Sequence, residues 1–509
     1  MAHHSSVEAV KSPGSVLLVA SLGCAITVVD TNIVGVVLPT IAQGLGATFS
    51  AMEWVIGAYV LCFSSLLLPA GSLADRFGRR KVLLWGIALF TLSSLACGVA
   101  PTVRWLNFAR AAQGVGSALL LAPALAIIGH TWRLPAERNR AWAIWGGIMG
   151  ITMVLAPLAG GVISALLGWR WAFYINIPIC LLLALLVLRV IEESRHPDAG
   201  KLDIPGIVLF IAAMFMLTWA FILAPERGLL SPETLLRLAC SLCFFGGFAF
   251  VEKRQRAPML DLRLFRSLPF IGAVLAMFAY AATTQVMTSL LPLLLQNVEG
   301  KSALHAGIGM LPFALAMLVF PVVGRWLAHY LAARWLLAIG LLLVATGNLL
   351  IAFAVQQQMS GLVAGGMMLL GSGGGMLNGE TQKAIMGTVP HQRAGMASGI
   401  STTARFSGIL LGFAILCAIL ASSLRHMLSA SLQANHLPLH QEALARLVTG
   451  DIARALASYP PQQAGMLREL MHNAYRSGFA ALLIGAALFA FCSALFVMWS
   501  MNMKGKAHG

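Results

Sequence analysis

Asp30, Arg110 and Glu380 stand inside long apolar runs and could do chemistry there. Asp30 lies about 15 residues into the run that begins at Val16, or ~22 Å along a helix at 1.5 Å per residue. That depth is the outer half of a membrane, where a charge costs at least ~2.5–3.5 kcal/mol. Such an acid must face protein or a water-filled cavity. Arg110 occupies a run entering from outside and is the natural partner of Asp30, because an isolated guanidinium at that depth is untenable. The pair reads in two ways: a permanent structural ion pair, or a proton-carrying carboxylate tuned by its guanidinium. Glu380 is the only acid inside an apolar run of the second half, and Lys383, three residues on, can share its helix face. Either these two pair at the inner interface, or Glu380 is a second protonatable, cation-attracting group. Arg405 has no acidic neighbour in sequence.

The elements that hold these side chains are membrane spans. Of 509 residues, 59% are hydrophobic and 10% charged, against roughly 25% charged in soluble domains. Mean hydropathy is +0.84. We expect an all-α polytopic membrane protein with fourteen spans, near 16–39, 54–74, 82–100, 105–129, 139–164, 170–190, 204–223, 234–252, 268–297, 304–329, 334–355, 360–388, 394–421 and 476–501. The first run is too long for a signal peptide. The eight cysteines all fall within apolar runs and read as small hydrophobes. A net charge of +16 would suit nucleic acid, but its distribution argues otherwise. With the N-terminus inside, roughly 21 of the 34 Lys and Arg fall at cytoplasmic loops and tails. The charge is therefore a topology signal, with lipid headgroups as its contacts and no nucleic-acid partner. Both termini are placed in the cytoplasm. The stretch 422–475 reads as a long outer loop with short amphipathic helices at Gln441–Leu447 and Met466–Ala474, and Lys253–Arg266 as a surface-lying inner helix.

Between two uncharged runs lies Gly71-Ser-Leu-Ala-Asp-Arg-Phe-Gly-Arg-Arg-Lys81, a short basic loop. It resembles Gly-x-Leu-Ala-Asp-Arg-x-Gly-Arg-(Arg/Lys), the loop signature of the major facilitator superfamily. The resemblance implies a cytoplasmic gating loop built from Gly71, Asp75, Arg76, Gly78 and Arg79, with Asp75 resting on arginines and a helix N-terminus. Leu73–Leu83 has an echo at Leu327–Leu337, 254 residues later, and Pro135–Arg138 has one at Pro390–Arg393, 255 residues later. Two echoes at nearly one offset indicate a parallel repeat. The major facilitator fold then divides into a six-helix half at 1–195, an inserted helix pair and linker at 196–266, and a second six-helix half at 267–509. Fourteen spans with an inserted pair match the drug:proton antiporter branch of that superfamily.

Four further runs resemble that branch or its superfamily. They are Asp30-Thr-Asn-Ile-Val-Gly-Val-Val-Leu-Pro39; Arg110-Ala-Ala-Gln113-Gly114-Val-Gly116, which resembles the fourth-helix motif of the superfamily as a whole, linked there to proton transfer; Trp169-Arg-Trp-Ala-Phe-Tyr-Ile-Asn-Ile-Pro178; and Ala394–Gly408. The Trp169 run reads physically as an interfacial aromatic belt. The antiporter motif is represented by Gly150, Pro157, Gly160 and Gly161, with Thr152 and Ala156 where glycine is usual. Small residues and a proline there favour close helix packing and a kink. The resemblance implies proton coupling through Asp30, Arg110 and Glu380. It also implies a substrate cavity lined by Asp30, Gln113, Trp145, Tyr280 and Glu380. No phosphate loop, zinc spacing or serine nucleophile elbow occurs, so ATP-driven transport and hydrolytic chemistry are not expected. The expectation is a monomeric inner-membrane antiporter without a cofactor. It would be driven by protons and export small amphipathic, cationic drugs or antiseptics such as quaternary ammonium compounds. Its rivals are a carrier of a metabolite or organic anion and a non-transporting sensor on the same fold.

Overall fold

A computed structural model describes residues 12–47, 49–132, 135–195, 203–227, 231–255, 262–388, 394–435 and 464–502. The chain is helical throughout these segments. The helices are α1 (Pro13–Leu45), α2 (Phe49–Phe77), α3 (Arg79–Gly98), α4 (Val103–Thr131), α5 (Pro135–Leu166), α6 (Trp171–Tyr174) and α7 (Asn176–Val190). After them come α8 (Ile204–Arg227), α9 (Pro232–Arg254), α10 (Leu268–Tyr280), α11 (Met287–Asn297), α12 (Ala303–Gly309) and α13 (Leu311–Leu327). The last four are α14 (Ala333–Gln356), α15 (Ser360–Gly387), α16 (Ala394–Ala434) and α17 (Ala464–Ser500). Among the described residues thirteen stretches are long and apolar enough to cross a membrane, and α2 makes a fourteenth, bent by 51° at Pro69. Proline there lacks the N–H that would continue the ladder. With no water in a bilayer core, such helices satisfy their own backbone and can expose apolar faces, as Leu92, Phe108 and Leu242 do.

Helices α1 to α7 pack into one bundle, with α4 between α2 and α3 and with α1 against α4, α5 and α7. Helices α10 to α17 pack into another, with α15 between α13 and α14 and with α17 against α14, α16 and α10. Helices α8 and α9 pair with each other, and α8 also lies on α2 and α16, at the seam of the two bundles. Across that seam α1 meets α11, α2 meets α16, and α5 meets α12 and α13.

Several boundaries differ from the sequence reading. The charged loop Gly71–Lys81 shrinks to one residue, Gly78, because α2 continues to Phe77 and α3 starts at Arg79. The connection read at 422–475 is shorter: α16 runs on to Ala434 and α17 begins at Ala464, so Met466–Ala474 belongs to the last long helix. These ends extend beyond the apolar run because a helix does not stop where the hydrocarbon does. The span 268–297 is divided by a π turn at Ala281–Gln285. Lys253–Arg266 is not one helix: α9 ends at Arg254 and a separate 3₁₀ turn covers Leu262–Arg266. Gln441–Leu447 and Pro390–Arg393 lie outside the described residues.

Candidate functional site

Asp30 sits beside the midpoint of the 33-residue α1. It is fully buried, with 0% exposure, and Arg110 of α4 is 1% exposed. Arg110 Nη1 donates to Asp30 Oδ2 at 2.5 Å. The other carboxylate oxygen accepts from Gln113 Nε2 at 2.9 Å and from Asn176 Nδ2 at 3.0 Å. Gln113 Oε1 in turn accepts from Arg110 Nη1 at 2.7 Å, and Gln113 Nε2 also donates to Ser94 Oγ at 2.8 Å. Arg110 Nε donates to the Val55 carbonyl at 3.0 Å, and its guanidinium lies 4.1 Å from the centre of the Tyr59 ring. Five helices thus supply one network: α1, α2, α3, α4 and α7. Most buried polar groups are hydrogen-bonded, and a connected network of this kind rigidifies the helices that carry it.

The glycines of the Arg110 run explain how α4 comes close enough. A Cβ at Gly114 would meet the Tyr59 carbonyl oxygen of α2 at 2.3 Å, and one at Gly116 would meet the Phe90 nitrogen of α3 at 2.7 Å. Small residues let helix backbones approach where lipid gives no hydrophobic drive. Gln113 and Arg110 stand one turn apart on this tightly held helix and reach Asp30 together.

Asn176 and Ser94 are members that sequence reasoning missed. In sequence Asn176 belongs to the aromatic belt run, yet the chain turns it inward at the start of α7. Its Oδ1 is buried and without a partner. An amide can rotate, so the same side chain can donate to a carboxylate or accept from a carboxylic acid. The signal available was an Asn within an apolar span opening, one helical turn from an interface.

At the α2–α3 break, Gly78 has φ +110°, a left-handed conformation that favours glycine. A Cβ there would also meet Glu193 Oε1 at 2.5 Å. Asp75 accepts from Arg79 at 2.9 Å and is 40% exposed. The acid seated on the N-terminus of α3 is instead Glu193, which accepts from the Arg80 and Lys81 backbone N–H groups at 3.1 and 3.2 Å. Arg80 Nη2 donates to the Leu188 carbonyl, and the Arg79 N–H to the Ser194 carbonyl. Two arginines and a helix N-terminus therefore clamp the end of α7. Arg76 lies over Phe77 at 5.7 Å, and a Cβ at Gly71 would meet nothing within 4 Å.

The bundles touch at the opposite end. Gln296 Nε2 donates to the Val36 carbonyl at 3.2 Å, and Leu38, Met52, Leu290, Leu293 and Phe413 line a small apolar gap there. A Cβ at Gly35 would lie 3.2 Å from Ser289 Cβ, and one at Gly307 would lie 2.9 Å from the Pro157 carbonyl oxygen. Gly150 lies at the seam, facing Leu318 of α13, while Gly160 packs within the first bundle on Ile33 and Val36 of α1. Gly161 is buried.

The five expected cavity residues occupy separate surroundings. Asp30 and Gln113 share the closed network, Trp145 reaches Cys24 of α1, and Tyr280 lies beneath Arg405. Glu380 accepts from Lys383 Nζ at 2.5 Å; Lys383 is 58% exposed. No hydrogen bond or ion pair joins the Asp30 network, Tyr280 and Glu380 among the described residues.

A long helical bundle in two halves, with thirteen or fourteen stretches apolar enough to cross a membrane and a buried ion-pair network, has the form of a membrane carrier. The chain belongs to the Major Facilitator Superfamily, whose family model matches residues 20–413. It is a transporter and not an enzyme. It is 35% identical over 434 residues to the multidrug resistance protein Stp of Mycobacterium tuberculosis (strain CDC 1551 / Oshkosh), covering 85% of this chain and 80% of that protein. It is 31% identical over 493 residues to the tetracenomycin C resistance and export protein of Streptomyces glaucescens, covering 95% and 91%. Among solved structures it resembles an inward-facing, occupied bacterial homologue of the human lysosomal transporter Spinster, with a TM-score of 0.70, 18% identity and 97% coverage of each chain.

Proposed function

We propose that this protein is a proton-coupled exporter of amphipathic drugs, working by alternating access of its two bundles. The similarity to multidrug and antibiotic export proteins supports drug export. The observation that carries proton coupling is the Asp30–Arg110–Gln113–Asn176 network. A proton on Asp30 would remove the charge that holds Arg110, and Asn176 could then rotate to accept from the new carboxylic acid. The change in one buried charge would alter how α1 is held against α4 and α7, and α1 is also a seam helix. Differential stabilisation of two packings is what a coupling ion must supply.

Glu380 supports a cationic substrate class. Its partner Lys383 is largely in the open and can swing away, leaving the carboxylate for a lipophilic cation. The test is export of a fluorescent quaternary ammonium dye in everted vesicles. A proton gradient should drive its accumulation, and a protonophore should abolish it. Accumulation that persists without the gradient would refute proton coupling. Absence of accumulation would refute cation export.

A further inference from the structure

Among the described residues the second bundle holds a cation that no carboxylate answers. Arg405 of α16 is half-buried, and its Nε donates to Gln285 Oε1 at 2.8 Å. Among the described residues it has no ion-pair partner, and its two terminal nitrogens bond no protein atom. Its guanidinium lies 5.9 Å from the Tyr280 ring centre. Tyr280 is fully buried, yet its hydroxyl has no partner. Ser401, one turn before Arg405 on the same helix face, is 1% exposed and its hydroxyl is also unpartnered.

The backbone adds a further sign. Gln285 closes the π turn Ala281–Gln285, where the Val286 N–H reaches back to the Ala281 carbonyl. A widened turn inside a helix re-aims side chains and recurs at functional sites. Gln285 also follows Asp30 by 255 residues, one of the two offsets at which the sequence motifs echo. In the first bundle that position is a carboxylate that neutralises an arginine. In the second it is an amide, which accepts one hydrogen bond and leaves the charge standing.

A guanidinium in a membrane bundle is costly without a counter-charge. Its free terminal nitrogens offer the paired donors that carboxylates match. We propose that Arg405, with Gln285, Tyr280 and Ser401, forms a subsite for the carboxylate of an amphipathic substrate. This rests on the export reading and widens its substrate range from cations to acids and zwitterions.

The test uses the full chain in nanodiscs of phosphatidylcholine, with protein-free discs as the blank. Three probes are titrated by fluorescence: pyrenebutyrate, its methyl ester, and a pyrene bearing a trimethylammonium group. Wild type should bind the acid at least about tenfold more tightly than the ester, the size of one charge-assisted hydrogen-bonded contact. Arg405→Gln should erase that preference and leave the ester's affinity unchanged. Gln285→Glu supplies the missing counter-charge with little change in shape and should erase it too, which guards against misfolding of the first variant. An acid-to-ester ratio equal in wild type and both variants would overturn the subsite. Gradient-driven export of the cationic probe by wild type is measured separately in everted vesicles. Its failure beside an intact acid preference would sink the export reading and spare the subsite, and the reverse result would do the opposite.

Discussion

Arg110 and Asp30 hold each other in a place where neither could stand alone. Asp30→Asn or Arg110→Gln leaves one buried charge without its partner, which costs about 3–5 kcal/mol. The double variant removes both charges and should recover a large part of that loss. Thermal unfolding of the four proteins in one detergent checks this, and purely additive losses would show that the two groups do not act as a pair. The existence of the pair was legible from two charges in apolar runs. Its completion by Asn176 and Ser94 was not, because their spans also carry aromatic and small residues that read equally well as packing. At the α2–α3 break a different outcome is expected. Asp75 is well exposed and its bond to Arg79 contributes little to stability. Asp75→Asn should therefore abolish most dye export while leaving membrane expression unchanged, and Glu193→Gln should weaken export as well by freeing the N-terminus of α3. Export by Asp75→Asn at the wild-type rate would make the motif a topology signal only.

Helix contacts turn the small-residue motifs into geometry. Gly114→Ala places a methyl group against the Tyr59 carbonyl oxygen, and overpacking of this kind costs about 1–3 kcal/mol. Gly146→Ala meets nothing within 4 Å and serves as the matched control. Unfolding temperature should fall for the first and hold for the second; equal values would contradict the packing of α4 on α2. The run Gly371–Gly375 shows the same logic on α15, where Cβ atoms would meet the Phe313 and Gly340 carbonyl oxygens. Spans and small-residue faces were readable from the chain because apolar length and glycine placement are local properties. Helix ends were not, since α1, α2, α16 and α17 continue beyond the apolar runs. Nor was the π turn of Ala281–Gln285, whose residues carry no local mark of a widened turn.

The two bundles meet at one end, and the first is clamped internally at the other, which suits a carrier that opens by rocking. Cysteines at Gly35 and Ser289 would bring Cβ atoms close enough for a disulfide across the seam. In the Gly35→Cys/Ser289→Cys variant, oxidation should stop dye export and reduction should restore it to the level of the unoxidised variant, with Ser289→Cys alone insensitive to oxidation. Export that survives cross-linking would contradict alternating access at this seam. The two-half plan was visible in the sequence as faint echoes about 254 residues apart, but the surfaces joining the halves were not, because seam and lipid faces are both apolar. If Asp30 exchanges protons for substrate, the exchange is seen most directly as substrate-induced proton release from purified protein in weakly buffered detergent solution. Wild type should release protons on addition of the quaternary ammonium dye. Asp30→Asn and the folded double variant Asp30→Asn/Arg110→Gln should release none while still binding the dye. Undiminished release from both variants would contradict the account and move the proton to Glu380.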